Sequence, residues 1–231
     1  MTPDPAQEKR LAAAKSLEYV QDGMCLGLGS GSTATIMVEM LAERIRGGLR
    51  VRGVPSSEGT RRLALRLGIP LLSFDEVTEL DLTIDGADQA TPQLDLIKGG
   101  GGALLREKVV ASLSRHVMII VDSRKRTDRL GAFPLPVEVV RFAWRPLVER
   151  LRSLGTNPEL RLTSREQPFV TDEGNYILDC DFGVIQDPQG LAAQLNALPG
   201  VMEHGLFVNL ADTLIVGTGD GVEVIQSPRT R

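Results

Sequence analysis

Residues 24–46 read MCLGLGSGSTATIMVEMLAERIR, and this stretch decides the fold class of the chain. Its first part, 24–29, is a short apolar run typical of a buried strand, and 33–46 carries apolar residues at helical spacing. The glycine- and serine-rich segment between them leaves a strand and opens a helix, where free backbone N–H groups favour an anion. A plain strand-to-helix turn with a serine cap uses the same residue types, so that alternative stays open.

The spacing in this loop excludes the two common nucleotide-binding loops. A dinucleotide fingerprint would need glycine at Ser32 and an acidic residue about 20 positions later, where Gly47 and Gly48 stand. A Walker loop would need a lysine before its serine or threonine, which this segment lacks. We therefore predict an anion site without NAD or ATP, and we expect no cofactor.

Strands and helices continue to alternate on both sides of the loop. Helical patterns occupy 8–20, 59–67 and 103–114, and strand patterns occupy 49–54, 80–85 and 117–122. This order predicts an α/β domain with a Rossmann-like, doubly wound parallel sheet. In such a sheet ligands bind beyond the carboxyl ends of the strands, so the loops at those ends are candidate site segments.

The order of elements changes beyond residue 133. Strand patterns lie at 137–140, 160–163, 169–182 (broken as a hairpin at 172–174) and 201–208, with helical patterns at 145–154 and 189–198. This β-α-β-β-α-β order is ferredoxin-like and predicts a small α+β domain at 131–207. A last hairpin, 211–216 with 222–226, is expected to return to the first domain, which then comprises 1–130 and 208–231.

Composition excludes several classes of function. The chain of 231 residues has a formal charge of -4 and no basic footprint, so nucleic acid and acidic membrane surfaces are poor partners. Its two histidines and two cysteines form no cluster, so we expect no metal site. No apolar run reaches about 18 residues and the first ten residues lack a signal region, which favours a cytoplasmic protein.

Two further segments bring charged side chains to predicted strand ends. The segment 84–89 (IDGADQ) places Asp85 and Asp88 at and after the end of a predicted strand. Asp-Gly is also a common turn pair, so a plain turn stays an alternative. KGGGGALLREK begins with Lys98 and carries Glu107 on the helix that follows, where a solvated glutamate alone would be ordinary. The run of glycines costs conformational entropy, which indicates a close approach of the backbone to another group.

Together these segments offer three carboxylates, one ammonium group and several backbone N–H donors. Proton transfer beside a carbonyl uses this set. A carboxylate can remove the C2 proton of an open aldose and return it at C1, while a cation and N–H donors stabilise the enediolate oxygen. Together with the anion loop, this set predicts proton transfer on a small sugar that carries a phosphate or another anion.

The chain resembles the A-type ribose-5-phosphate isomerases from about Lys9 to Gln226. Four segments, 27–34, 84–88, 98–108 and 133–139 (FPLPVEV), occur in the family's order and approximate spacing. The resemblance implies interconversion of ribose 5-phosphate and ribulose 5-phosphate in the non-oxidative pentose phosphate pathway, without a cofactor or metal. It also implies a homodimer or a higher homo-oligomer.

The resemblance further implies a role for each candidate site residue. Glu107 would be the proton acceptor, Asp85 would assist ring opening, and Asp88, Lys98 and the glycine turn would stabilise the enediolate. The substrate-binding set would be Lys9, Ser30, Gly31, Ser32, Thr33, Asp85, Gly86, Ala87, Asp88, Lys98, Gly99, Gly100, Gly101 and Lys125. The lysines at 9 and 125 would act on the phosphate end, although Lys125 alone reads as part of a solvated charge run.

Two departures from the family pattern and two rival functions remain. Ser30 stands where many relatives have threonine, and Gln89 where glutamate is usual; neither removes a proposed catalytic group. A related fold serves as a non-catalytic sugar-phosphate sensor, but that function predicts an attached DNA-binding helix pair, and the residues before Met24 hold one helix pattern. A related fold also transfers coenzyme A, in which Glu107 would be a nucleophile rather than a base.

Overall fold

The predicted alternation of elements is present in a computed structural model that describes residues 4–227. The helices are α1 (Pro5–Leu17), α2 (Gly31–Arg46), α3 (Glu58–Arg66), α4 (Leu104–Ser112), α5 (Trp144–Arg152) and α6 (Pro188–Asn196). The strands are β1 (Cys25–Leu28), β2 (Arg52–Pro55), β3 (Leu82–Asp85), β4 (Gln89–Ala90), β5 (Leu96–Ile97), β6 (Val117–Asp122), β7 (Leu135–Val139), β8 (Asn157–Leu160), β9 (Tyr176–Asp181), β10 (Val201–His204), β11 (Leu206–Phe207), β12 (Thr213–Thr218) and β13 (Gly221–Gln226). Within 4–227, no helix has the length and apolarity that a membrane span requires.

The first domain predicted from the sequence corresponds to a six-stranded sheet of order β13-β12-β6-β3-β1-β2. Neighbouring strands pair in parallel except β13, which is antiparallel to β12. Every position of β3 and β6 is buried, as expected for strands covered by helices on both faces. Strand β1 pairs with β2 on one side and β3 on the other, so the loops after β1 and β3 diverge and leave a crevice. The doubly wound prediction is confirmed.

Helix α2 is fixed rigidly behind that crevice. It begins at Gly31, close after the end of β1, and buries Met37, Val38 and Leu41 in the same core cluster as Leu28 of β1. Burying a side chain of this size contributes roughly 1.5–3 kcal/mol, so the apolar face of α2 anchors the helix firmly to the sheet. The N-terminus of α2 is consequently held at the carboxyl edge of the sheet.

The second part of the chain forms a four-stranded antiparallel sheet of order β10-β7-β9-β8. With α5 between β7 and β8 and α6 between β9 and β10, this is the ferredoxin-like arrangement that the β-α-β-β-α-β order predicted. Its core packs Val137 and Leu178 of the central strands against Leu147 and Leu195 of the two helices. The proposed domain boundaries at 130/131 and 207/208 stay a prediction.

Two strand predictions in this region were wrong in detail. The strand expected at 160–163 lies at Asn157–Leu160, and the hairpin expected at 169–182 has only its second strand, β9. In the second case the Thr171 hydroxyl (2.8 Å) and the Asn175 amide (2.9 Å) both donate to Oε1 of the buried Glu138 on β7, a residue distant in sequence. This side-chain network draws 171–175 into a turn against the sheet instead of a regular ladder.

A three-stranded sheet, β11-β5-β4, was not predicted. The strand expected at 201–208 breaks at Gly205, so that β10 joins the four-stranded sheet and β11 pairs with β5. At Gly205 the chain passes so close to Lys98 that a Cβ would lie 2.3 Å from the Lys98 carbonyl oxygen. The backbones also exchange a hydrogen bond here, from Lys98 N–H to the Gly205 oxygen at 2.9 Å. The small sheet thus holds the residue that enters the glycine run.

Candidate active site

Three segments meet at the carboxyl ends of β1 and β3: the loop 29–33, the loop 86–88 and the glycine turn 99–102. They enclose a pocket lined by Ser30, Gly31, Ser32, Thr33, Gly86, Ala87, Asp88, Lys98, Gly99, Gly101, Glu107 and Lys125. Asp85, Gly100 and Lys9 lie behind this lining, and each contacts a member of it. All residues predicted for the site are therefore brought together.

The Lys98 ammonium group lies between two carboxylates at the closed end of the pocket. Its Nζ is 3.0 Å from Oδ2 of Asp85 and 3.3 Å from Oε1 of Glu107, and it donates to the Gly86 carbonyl at 2.6 Å. The three charged side chains are at most 5% exposed. The other oxygen of Asp85 accepts the N–H groups of Ser30 (2.9 Å) and Gly86 (2.7 Å), which fixes its orientation. This is a preorganised set of charges shielded from water.

Glu107 is the carboxylate best placed to accept a proton. Its Oε1 accepts the Ser30 hydroxyl at 2.5 Å, whereas its Oε2 is buried and has no hydrogen-bond partner among the described residues. Burial raises the pKa of Glu107, the Lys98 charge opposes this and the Asp85 charge adds to it, so that the pKa rises from 4.5 to about 7. A carboxylate with that pKa and one free oxygen is suited to act as a general base near neutral pH.

Lys98 supplies a permanent positive charge beside that base. Burial alone lowers the pKa of Lys98, but the carboxylates of Asp85 and Glu107 outweigh burial and raise it from 10.5 to about 12. The ammonium group therefore stays protonated at neutral pH and can stabilise negative charge that develops on a substrate oxygen.

The glycine turn explains how Glu107 reaches the pocket. Gly99 and Gly102 adopt φ angles of 99° and 81°, which residues with a side chain rarely tolerate, and the Gly102 N–H closes the turn on the Gly99 oxygen at 2.9 Å. Helix α4 starts directly after this turn, so Glu107 lies in its first turn and points back towards the pocket. The N–H of Gly100 donates to Oδ2 of Asp88 at 2.7 Å and ties the turn to the loop after β3.

The opposite end of the pocket is built for an anion. The first turn of α2 has no acidic residue and no side-chain cap, so the N–H groups at Ser32 and Thr33 face the opening. Lys9 of α1 donates to the Ser32 hydroxyl at 2.9 Å, and Lys125 lines the same pocket. Gly31 and Ser32 are exposed, so this end is open to solvent.

Sequence reasoning missed two residues that support the site. Glu8 is buried and accepts the N–H (3.0 Å) and hydroxyl (2.8 Å) of Ser123 and the N–H of Gly219 (2.8 Å), which fixes α1 beside the turn that carries Lys125. Arg161 donates to the carbonyl oxygens of the glycine turn. Neither belongs to a local motif, and each partner lies at least 61 residues away. No signal in the sequence alone could have found them.

Within residues 4–227, no group of three or more His, Cys, Asp or Glu side chains is placed to hold a metal ion. His204 is buried among apolar residues next to Lys108, and His116 contacts Thr213. Neither histidine lines the pocket.

Comparison with known proteins agrees with the geometry. The family model described as ribose 5-phosphate isomerase A (phosphoriboisomerase A) matches residues 52–221. The ribose-5-phosphate isomerase A of Chloroflexus aurantiacus is 54% identical over 218 residues, which cover 93% of this chain and 91% of that protein. The protein of the same name from Agrobacterium fabrum is 50% identical over 229 residues, 97% of this chain and 99% of that protein.

Solved structures give the same result. The crystal structure of ribose 5 phosphate isomerase A from Neisseria gonorrhoeae superposes with a TM-score of 0.92 at 38% identity, covering 99% of this chain and 100% of that one. A D-ribose-5-phosphate isomerase in complex with phospho-erythronic acid gives a TM-score of 0.94 at 38% identity, covering 96% of this chain and 99% of that one. The chain therefore belongs to the ribose 5-phosphate isomerase A family.

Proposed function

We propose that this protein interconverts D-ribose 5-phosphate and D-ribulose 5-phosphate through an enediolate, with Glu107 as the base. The observation that carries the proposal is the free, buried Oε2 of Glu107 beside a permanently charged lysine. Glu107 removes the proton from C2 of the open aldose, and the electron pair forms the C1–C2 double bond. The former carbonyl oxygen at C1 becomes an oxyanion, which Lys98 and the glycine turn stabilise.

The proton then returns to the neighbouring carbon. Protonated Glu107 donates to C1 while the proton of the C2 hydroxyl passes to the C1 oxyanion, so that the C2 oxygen becomes the ketone and the C1 oxygen ends as a hydroxyl group. Asp88 accepts the Gly100 N–H and lines the pocket, so it supports the turn that faces the enediolate. We propose that Asp85 assists the earlier ring opening as a proton acceptor, with its Oδ2 held 3.0 Å from the permanently charged Lys98 ammonium group.

The open end of the pocket is proposed to bind the phosphate. The N-terminus of α2, Lys9 and Lys125 together provide backbone donors and two positive charges at one place. Backbone N–H groups at a helix N-terminus suit a phosphate dianion. A substrate held there by its phosphate would extend its carbonyl end towards Glu107, because the pocket lining runs continuously between these groups.

A purified-protein assay tests this function. We expect ribulose 5-phosphate to form from ribose 5-phosphate. Other sugar phosphates should slow this conversion by competing for the same site. Turnover should survive EDTA, since Glu107 and Lys98 supply the proton transfer and the charge stabilisation. Loss of turnover in EDTA, restored only by a divalent ion, would contradict the mechanism. A thioester trapped at Glu107 from an acyl-coenzyme A would instead support coenzyme A transfer.

The family membership also supports proposals on the location, the pathway and the oligomeric state of the protein. We propose that the protein works in the cytoplasm, within the non-oxidative pentose phosphate pathway, where phosphorylated pentoses occur. We propose a homodimer, for which the half-exposed side chains of Phe74, Val109 and Met202 around one groove are candidate contact residues. Sedimentation at micromolar concentration measures the oligomeric state, and a monomer would contradict this part.

A further inference from the structure

The outer side of the glycine turn is held by one arginine of the four-stranded sheet. Arg161 directly follows β8, and its Nη1 donates to the carbonyl oxygens of Gly99 (2.8 Å) and Gly100 (3.1 Å). The rest of its guanidinium group makes a two-pronged contact with Asp179 on β9, with Nε 2.8 Å from Oδ2. Only 13% of the Arg161 side chain is exposed. All three nitrogens of the guanidinium group therefore donate hydrogen bonds.

These two hydrogen bonds determine where the N–H groups of the turn point. In a planar trans peptide, the carbonyl group and the N–H of the next residue point in opposite directions. Holding the Gly99 oxygen therefore orients the Gly100 N–H, which reaches Asp88 at 2.7 Å. Holding the Gly100 oxygen orients the N–H of Gly101 away from Arg161, and Gly101 lines the pocket.

The glycine turn needs these two hydrogen bonds because glycine peptides rotate easily. Glycine populates positive and negative φ about equally, so an isolated run of four glycines would sample many orientations of its N–H groups. A donor stabilises a developing oxyanion best when it is already oriented, since no reorganisation is then required during the reaction. A cation on the carbonyl side also polarises each peptide and strengthens its N–H as a donor.

We propose that Arg161, oriented by Asp179, is a positioning residue that fixes the glycine turn for enediolate stabilisation. The inference rests on the proposed isomerase function and adds a residue from the four-stranded sheet to it. Arg161 contacts the substrate at no step; it acts through the peptides at 99–100 and 100–101.

The test compares Arg161→Ala with the wild type on ribose 5-phosphate. Removing one oxyanion donor outright typically lowers kcat by about 100- to 1,000-fold, and Arg161 acts one step away, so we expect a fall of about 10- to 100-fold. KM should change by less than about threefold, because the phosphate end is untouched. Arg161→Lys keeps the charge but cannot hold Asp179 and both carbonyl oxygens. Its kcat should therefore lie between those of the wild type and Arg161→Ala.

Binding of phospho-erythronic acid gives a second readout. Its planar carboxylate resembles the enediolate, so its affinity should weaken by about the same factor as kcat in Arg161→Ala. A purely structural role for Arg161 would lower the melting temperature without this parallel loss. Calorimetric titration of both proteins with phospho-erythronic acid measures the change.

Arg106→Ala is the matched control. Arg106 also joins the two parts of the molecule, through Glu58 (3.2 Å) and Glu173, but its hydrogen bonds do not reach the glycine turn. We expect its kcat and its affinity for phospho-erythronic acid to stay within about twofold of the wild type, as for surface ion pairs generally. Equal losses in both variants would overturn the positioning role, because docking of the sheets would then explain them.

The outcomes separate the two proposals. An active wild type with Arg161→Ala unchanged in kcat and in phospho-erythronic acid affinity would overturn the role of Arg161 alone. A wild type without isomerase turnover would overturn the proposed function, and the role of Arg161 with it.

Discussion

The two ends of the pocket are built differently. At the closed end, Asp85, Lys98 and Glu107 are at most 4% exposed and each contacts another charged group of the same set. At the open end, Ser32 is exposed and Lys125 is half-buried, and Lys9 donates to the Ser32 hydroxyl. Proton transfer benefits from burial, because burial shifts pKa values and strengthens charge stabilisation. Phosphate binding needs access and donors instead. We therefore expect substitutions at the closed end to change kcat, and those at the open end to change KM.

The largest effect should come from Glu107→Gln. This substitution keeps the shape of the side chain and removes the base, so kcat should fall by about 100- to 10,000-fold while KM stays close to that of the wild type. Steady-state kinetics with ribose 5-phosphate measure both constants. Near-normal turnover in Glu107→Gln would show that another group removes the C2 proton.

The second-largest effect is expected for Lys98→Met. Loss of the ammonium group removes oxyanion stabilisation, worth about 100- to 1,000-fold in kcat. It also removes the charge that lowers the pKa of Glu107, so the pH at which activity rises should move upward. Because two buried carboxylates lose their partner, the free energy of unfolding should drop by about 3–5 kcal/mol. A pH profile unchanged from that of the wild type would contradict the coupling of Lys98 to Glu107.

Lys125→Ala tests the open end. A charge-assisted contact with phosphate contributes about 1.5–3 kcal/mol, so KM should rise about tenfold or more with kcat little changed. The rise should shrink at high salt, since exposed charges are screened. Arg129→Ala serves as the control, because Arg129 is an exposed arginine that bonds Gln186 and does not line the pocket. A fall in kcat without a change in KM would erase the distinction between the two ends.

The smallest effect is expected for Ser30→Ala. The Ser30 hydroxyl donates to Glu107 and lowers its pKa, so its loss should raise that pKa above about 7. The wild-type kcat/KM should rise as pH increases through about 7, because Glu107 must be deprotonated to act. Ser30→Ala should therefore lose more activity at pH 6 than at pH 8. Ser30→Thr keeps the hydroxyl and should retain the wild-type profile; equal losses at both pH values in Ser30→Ala would contradict this role.

Features that follow from local sequence patterns are the ones that could be predicted. The buried parallel strands are apolar runs of ordinary length, such as Val117–Asp122, and their length and their place between helical patterns mark them. The groups of the site follow those strand ends in recognisable loops, so Asp85, Lys98 and Glu107 could be placed in one pocket beforehand. Two-residue strands such as Leu96–Ile97 carry no period and could not be predicted.

The remaining features depend on contacts between distant parts of the chain. Arg161 reaches the glycine turn only because β8 lies at the edge of the four-stranded sheet that abuts it. Glu8 becomes buried only when α1 packs beside the turn at Ser123 and the hairpin at Gly219. The pKa of Glu107 likewise depends on burial and on Lys98, which lies nine positions earlier in the sequence. Local patterns carry none of this information.

The most direct measurement of the role of Glu107 follows the hydrogen at C2. Ribose 5-phosphate labelled with deuterium at C2 is converted in ordinary water, and the label is located in substrate, product and solvent by NMR. We expect the wild type to release part of the deuterium to solvent with a primary isotope effect, and Glu107→Gln to release none. Loss of the label from C2 at the wild-type rate in Glu107→Gln, whether to solvent or to C1, would contradict proton removal by this carboxylate.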